Sequence, residues 1–304
     1  MGRYFRAQAI RVFSCPSAID FNEPCIIKKS IGHWPAISER KWHPRRLQAM
    51  YGERLFEWGV GPNGNETLLT SLSHFFRRKH PRSRHRCYVF DSTFEVDCPE
   101  LLQDYSVPAL FQFGSPDTPT CQPVPHNQHS NRWLLLGHAG SGSRLHADPP
   151  TTSAWNALVF GRKEWVVVQP DALQHEPQQA QDAPRALAQS SGAAYHQRML
   201  EDASSAPLYR WFSKHVPRLW HHARCNALSG IDVASGGGSP PRMMRFTQRP
   251  GDVVHIPSGW LHAVLNRSLS VAVTHNFISP ASARCGRRGT GCSEQAEEVL
   301  PSIG

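Results

Sequence analysis

The chain has 304 residues, 39% of them hydrophobic, which is enough to build one large domain or two modest ones. Twenty-five prolines and twenty-two glycines argue against a helical bundle and for many turns and long connections. The net charge of +9 favours polyanionic or acidic partners and says nothing about fold. No apolar run approaches the roughly eighteen residues that cross a bilayer, so a soluble protein without membrane partners is expected.

The first nineteen residues hold Arg3, Arg6 and Arg11 and no acid. They read as an ordinary first helix or a late gene start, with a mitochondrial leader as the alternative. Pro24 to Ile27 reads as a short strand. Arg45 to Tyr51 reads as a helix that Gly52 ends, and residues 65–80 as a second helix. The run from Arg77 to Arg86 holds most of one local excess of positive charge. It is either a solvated loop or an RNA contact or import signal. Tyr88-Val89-Phe90 reads as a strand, and Pro99 to Tyr105 as a helix with proline in its first turn. Residues 114–130 have linker composition.

Beyond residue 131 the pattern changes to short β-rich runs: Trp133–Leu136, Trp155–Val159, Trp165–Val168, then Asp252–Ile256, Leu261–Leu265 and Ser270–Thr274. Gly161-Arg162 reads as a hairpin turn between two of them. Residues 171–245 interrupt the clusters as an insertion rich in Gln, Ala, Ser and Gly, in which only Leu208 to Trp220 looks helical. The expected organisation is a mixed α/β portion over 1–130 packing on a barrel, a core over 131–280 interrupted at 171–245, and a disordered tail over 281–304. The fold class is mainly β with helical additions, a double-stranded β-helix or jelly roll.

Eight cysteines without a C-x-x-C pair, and no secretory leader, suggest reduced thiols inside the cell. Three other residues are the candidates for chemistry, with a surface turn before Pro149-Pro150 and a hydrogen-bonded core histidine as the alternatives. His146-Ala147-Asp148 follows a β run, and residues i and i+2 of a strand share a face, so both side chains can reach one metal. His262 follows a strand and a tight turn over Pro250–Leu261. Two histidines and one carboxylate leave open positions on iron. His255 and His275 are rival ligands. His221, His222 and Cys225 lie in the insertion.

These residues carry a resemblance. Leu145–Pro149, Thr152–Val159, Gly161–Trp165, Trp260–Asn266 and Val273–Phe277 resemble the JmjC oxygenases. Within them the chain is most similar to the arginine demethylase and lysyl hydroxylase subgroup, once called the phosphatidylserine receptor. Gly32-His33-Trp34, Tyr88–Ser92 and Leu102–Pro108 fit the same subgroup. The resemblance implies a cupin-type jelly roll and Fe(II) on His146, Asp148 and His262. It further implies 2-oxoglutarate held by Lys163, Thr274, Asn156, Tyr88 and Ser143. It implies oxidative decarboxylation of 2-oxoglutarate coupled to hydroxylation of a protein substrate, RNA-associated or histone, in the nucleus or cytoplasm. On a lysine carbon the product is an alcohol; on an N-methyl carbon it is a hemiaminal that loses formaldehyde. The extended N-terminal segment and the subunit-pairing C-terminal helices of the subgroup have no counterpart here, so the oligomeric state stays open. A catalytically silent binding module and a basic nucleic-acid-binding protein are the competing readings.

Overall fold

A computed structural model describes residues 5–14, 16–60, 66–77, 88–112, 121, 131–170, 203, 206–228 and 241–282. Two sheets face each other. The first, sheet A, has the order β1-β11-β10-β13-β8: β1 (Arg6–Ala7), β11 (Arg242–Gln248), β10 (Lys163–Val168), β13 (Leu261–Asn266) and β8 (Gly142–His146). The second, sheet B, runs β2-β3-β12-β9-β14-β7-β6-β4-β5. Its centre is β12 (Val253–Ile256), β9 (Ser153–Phe160), β14 (Ser270–Phe277) and β7 (Arg132–Gly137); β2 (Arg11–Phe13) and β3 (Cys25–Ile27) flank one side. On the other side β6 (Tyr88–Asp91), β4 (Leu55–Val60) and β5 (Glu66–Ser71) extend the sheet as a wing.

From β7 to β10 the chain alternates between sheets, and it does so again from β12 to β14. This is the winding of a double-stranded β-helix, as the spacing of short strands predicts. Gly161-Arg162, expected as a hairpin turn, is instead a corner between sheets, because β9 and β10 do not pair. Gly161 has φ +93°, and a side chain there would meet the Leu269 carbonyl at 2.1 Å. The corner therefore needs glycine for both conformation and space.

Strand alternation sorts the core into layers. Val166 and Val168 point outward from sheet A and pack under Trp211, Phe212, Val216 and Leu219. Those four come from a helical segment made of α5 (Leu208–Arg210), a π turn (Trp211–His215) and α6 (Val216–Leu228), longer than the predicted Leu208–Trp220. Trp155, Ala157, Val271 and Val273 point outward from sheet B into a large core. Helices α1 (Pro35–Ser38), α2 (Pro44–Tyr51), α3 (Leu72–Arg77) and α4 (Phe94–Asp97) help to cover that side. Between the sheets lie Trp165, Val167, Met244, Val254 and Ile256, with Leu135, Leu158 and Ala272.

Strands before residue 131 join both sheets. Residues 6–13, expected as a helix, form β1 and β2, parallel to β11 and β3. The first half of the 65–80 segment, also expected as helix, is β5; its pairing with β4 from Leu55↔Ser71 to Val60↔Glu66 wins over local helix propensity. Proline 99 does start a helical turn, of the tighter 3₁₀ type, over Pro99–Asp104. The linker 114–130 apart from Cys121, most of the insertion, and the tail beyond residue 282 lie outside the described residues. No helix among the described residues is long and apolar enough to cross a membrane.

Candidate metal centre

Strand β8 forms one edge of sheet A and pairs only with β13 among the described residues. In that register His262 stands directly opposite His146, and the two imidazole rings are 4.2 Å apart. Close approach of the strands depends on Gly142, where a side chain would meet the Val264 carbonyl at 1.9 Å. β8 ends at His146, so Asp148 reaches back from the coil just past the strand rather than from within it. One ligand atom from each of His146, Asp148 and His262 lies within 4.8 Å of the others, and His146 Nε2 is 3.9 Å from Asp148 Oδ1. Three donors of this kind on one side of a point suit a divalent metal and leave its other side open.

Both rings are oriented by the backbone. His146 Nδ1 donates to the Arg144 carbonyl at 2.7 Å, and His262 Nδ1 to the Trp260 carbonyl at 3.2 Å. A carbonyl can only accept, so each Nδ1 carries the proton and each Nε2 keeps a lone pair for a metal. His262 is buried and lies against Trp165, with ring centroids 6.1 Å apart. Burial, helped by the neighbouring His146, lowers its pKa to about 4. The ring is therefore neutral at physiological pH, as metal ligation requires.

The rivals His255 and His275 face the other way. Each alternates with inward residues on its strand and lies in the outer core of sheet B. His275 Nε2 bonds the Tyr105 hydroxyl at 3.0 Å, and its ring packs on Trp155 at 4.3 Å. His255 is fully buried beside Phe21, Phe111 and Phe277. Burial lowers the pKa of His275 to about 3 and that of His255 to about 4. His221 and Cys225 sit 3.8 Å apart on α6, on the outside of sheet A.

Further along the inner face of β10 stands Lys163, with 1% of its surface exposed. It stands two inward positions beyond Val167, whose partner on β13 is His262. At ~3.3 Å per residue that places Lys163 about 13 Å along the strand from the metal ligands. Its ammonium lies 5.7 Å from the centre of the Tyr88 ring, and no carboxylate pairs with it among the described residues. Burial alone lowers its pKa to about 7, and burial raises that of Tyr88. A buried ammonium without a neighbouring carboxylate is costly, and an anion beside it would offset that cost.

Asn156 and Thr274 are direct cross-strand partners on β9 and β14, on the inward face of the opposite sheet. The buried Asn156 Oδ1 has no hydrogen-bond partner, a costly state unless something else satisfies it. Thr274 Oγ1 donates to the Trp155 carbonyl at 2.8 Å, so its proton is committed in this arrangement. Ser143 pairs with Val264 near the start of β8. Two polar residues of this interior were not singled out from sequence. Asn276, two residues beyond Thr274 on the same face, could have been found by strand parity. Gln248 gives no sequence signal; its amide accepts from Trp165 Nε1 at 2.9 Å and donates to the Asn156 and Asp252 carbonyls, tying the two sheets together.

With this geometry established, residues 13–283 match the Cupin-like domain family, and the chain belongs to it, as a JmjC-type member. It is 28% identical over 91% of its length to the lysine-specific demethylase JMJ21 of Arabidopsis thaliana. It is also 28% identical over 84% to the bifunctional arginine demethylase and lysyl-hydroxylase psr-1 of Caenorhabditis elegans. The 2-oxoglutarate and iron-dependent oxygenase JMJD4 of Homo sapiens matches at 28% identity over 49% of the chain. The chain spans 26%, 56% and 27% of these relatives respectively.

Proposed function

We propose that this protein is an Fe(II)- and 2-oxoglutarate-dependent dioxygenase that hydroxylates a protein side chain, a lysyl carbon first among the candidates. One observation carries the reading: a two-histidine, one-carboxylate cluster shares a barrel interior with a buried lysine that has no counter-charge among the described residues. The ~13 Å between them is a span that a lysine side chain and a five-carbon dicarboxylate fill together. The relatives' names, a lysine demethylase, an arginine demethylase and lysyl-hydroxylase, and a 2-oxoglutarate and iron-dependent oxygenase, support the same chemistry.

Iron with 2-oxoglutarate supplies activation of O2 and delivery of one oxygen atom to a nearby C–H bond. The chain's own residues do the rest. His146, Asp148 and His262 would hold the metal, and the two backbone carbonyls keep both rings aimed. Lys163 takes up the distal carboxylate and, with it, a full positive charge. Asn156 Oδ1 and the Tyr88 hydroxyl offer polar contacts along the cosubstrate, with Thr274 and Ser143 nearby. Trp165 and the apolar interior exclude water. Which carbon the substrate presents decides between a stable alcohol and loss of an N-methyl group as formaldehyde, so N-methyl arginine or lysine demethylation at the same site is the second reading.

The test is succinate release that requires Fe(II) and 2-oxoglutarate together, followed by mass spectrometry of candidate protein substrates. A gain of one oxygen atom on lysine supports hydroxylation, and formaldehyde release supports demethylation. A protein that binds 2-oxoglutarate but releases no succinate with any substrate is a binding module.

A further inference from the structure

The outside of sheet A carries a feature the barrel chemistry does not use. Residues 208–228 contain no aspartate or glutamate, yet they hold Arg210, Lys214, Arg218 and Arg224 with His215, His221 and His222. Arg210, Lys214, Arg218, His221 and Arg224 are all exposed. Their spacing of three, four or six residues keeps the exposed cations along one side of the segment. Among the described residues none of the four Arg and Lys side chains forms an ion pair. Among the described residues, Glu164 is already held by Arg245 and Arg267, and Glu23 by Arg242. Arg6, on β1 against α6, is exposed too and adds to the field.

A solvated helix face usually interleaves both signs, which lowers self-repulsion. This one is single-signed over about 21 Å from Arg210 to Arg224, at ~1.5 Å per residue. A membrane is a poor match, because the apolar residues Trp211, Phe212, Val216, Leu219 and Ala223 are all turned inward and no apolar stripe faces outward to insert. A single strand of nucleic acid is a poor match as well, since stacking needs a row of exposed aromatic rings and only Tyr209 is substantially exposed there. A helix laid on a sheet makes a convex ridge. The B-form major groove, about 12 Å wide, admits such a ridge, while the A-form groove of duplex RNA is too narrow.

We propose that the basic face of residues 208–228 is a sequence-independent docking site for the phosphate backbone of duplex DNA. Its N-terminal end packs on β8, the strand that bears His146. DNA held there lies beside the edge strand of the candidate metal centre.

The test is fluorescence anisotropy of the full chain with a short labelled DNA duplex across a salt series. Wild-type protein should bind with a log–log salt slope of about 3 to 4, near 0.9 for each of four phosphates. The combined variant R210Q/K214Q/R218Q/R224Q should bind on the order of tenfold or more weakly at low salt and lose most of that slope. The control R45Q/R46Q, which removes two cations from exposed positions of α2 at the other side of the molecule, should bind as wild type. If the fourfold variant melts early, the single reversal K214E replaces it and should weaken binding several-fold with an unchanged melt. Unchanged DNA binding in these variants overturns the proposal. So does binding of the matching single strand, duplex RNA or phosphatidylserine vesicles as tight as that of the DNA duplex.

Discussion

His262 and His275 lie on consecutive strands of the barrel and are both neutral, yet the structure uses them in opposite ways. His262 points between the sheets, opposite His146, with Nε2 left bare. His275 points out of sheet B into an aromatic core, where the Tyr105 hydroxyl bonds its Nε2. Strand parity alone separates them: Thr274 looks inward, His275 outward. The lesson is that in a two-sheet barrel a histidine's role follows from its face, and a one-residue slip in register would exchange ligand and core.

The two histidines should differ most at the metal. His146→Ala or Asp148→Ala should lower Fe(II)-dependent turnover by about a hundredfold or more, since outer-sphere partners alone are worth ~10–100-fold. The melting temperature should hardly move, because His146 is 43% exposed and leaves little core behind. Wild-type succinate production in either variant would show that the cluster does not carry the chemistry.

Next in size is Lys163. Lys163→Met should raise the 2-oxoglutarate requirement by about a hundredfold, with Lys163→Arg rescuing only in part. The same change should stabilise the ligand-free protein. Burial lowers the lysine from 10.5 to about 7, so between those values the folded protein binds fewer protons than the unfolded chain. Stability of the ligand-free wild type must then rise with pH from about 7 to about 10.5. Denaturation across that window checks the sign: Lys163→Met should remove the rise.

His275→Ala inverts the pattern. It leaves a cavity beside Trp155 and takes one hydrogen-bond partner from the Tyr105 hydroxyl, and should cost about 2–4 kcal/mol in a urea titration. Metal affinity of the folded fraction should stay at the wild-type level. A lost metal site in this variant would mean that the outer core, and not the barrel interior, shapes the centre. Smallest is Thr274→Val, which removes one hydroxyl already bonded to Trp155; a rise in 2-oxoglutarate KM of a few-fold, about 1 kcal/mol, is expected.

The triad was legible because its signal is local: an H-x-D at the end of a β run and a histidine just after a Pro-Ser-Gly turn. The sheet arrangement was harder to read. Gly161-Arg162 looks like a hairpin turn because a two-residue break between strands has the same sequence signature whether the strands pair or part to different sheets. Glu66–Ser71 looks helical because the partner that makes it a strand, β4, contributes through long-range pairing that no local window contains. Lys163 needed the family resemblance to be noticed, since a lysine after a turn reads as exposed, whereas its burial depends on both sheets. Gln248 was invisible for the same reason: its three hydrogen bonds reach residues 165, 156 and 252.

The central claim is that His146, Asp148 and His262 form one metal site that works together with a cosubstrate anion on Lys163. Anaerobic calorimetric titration of Fe(II) tests it most directly, with and without 2-oxoglutarate, on wild type and Asp148→Ala. The account predicts one ion per wild-type chain, bound more tightly when 2-oxoglutarate is present, and no comparable binding in the variant. Stoichiometric binding that survives Asp148→Ala, or that is indifferent to 2-oxoglutarate, would contradict it.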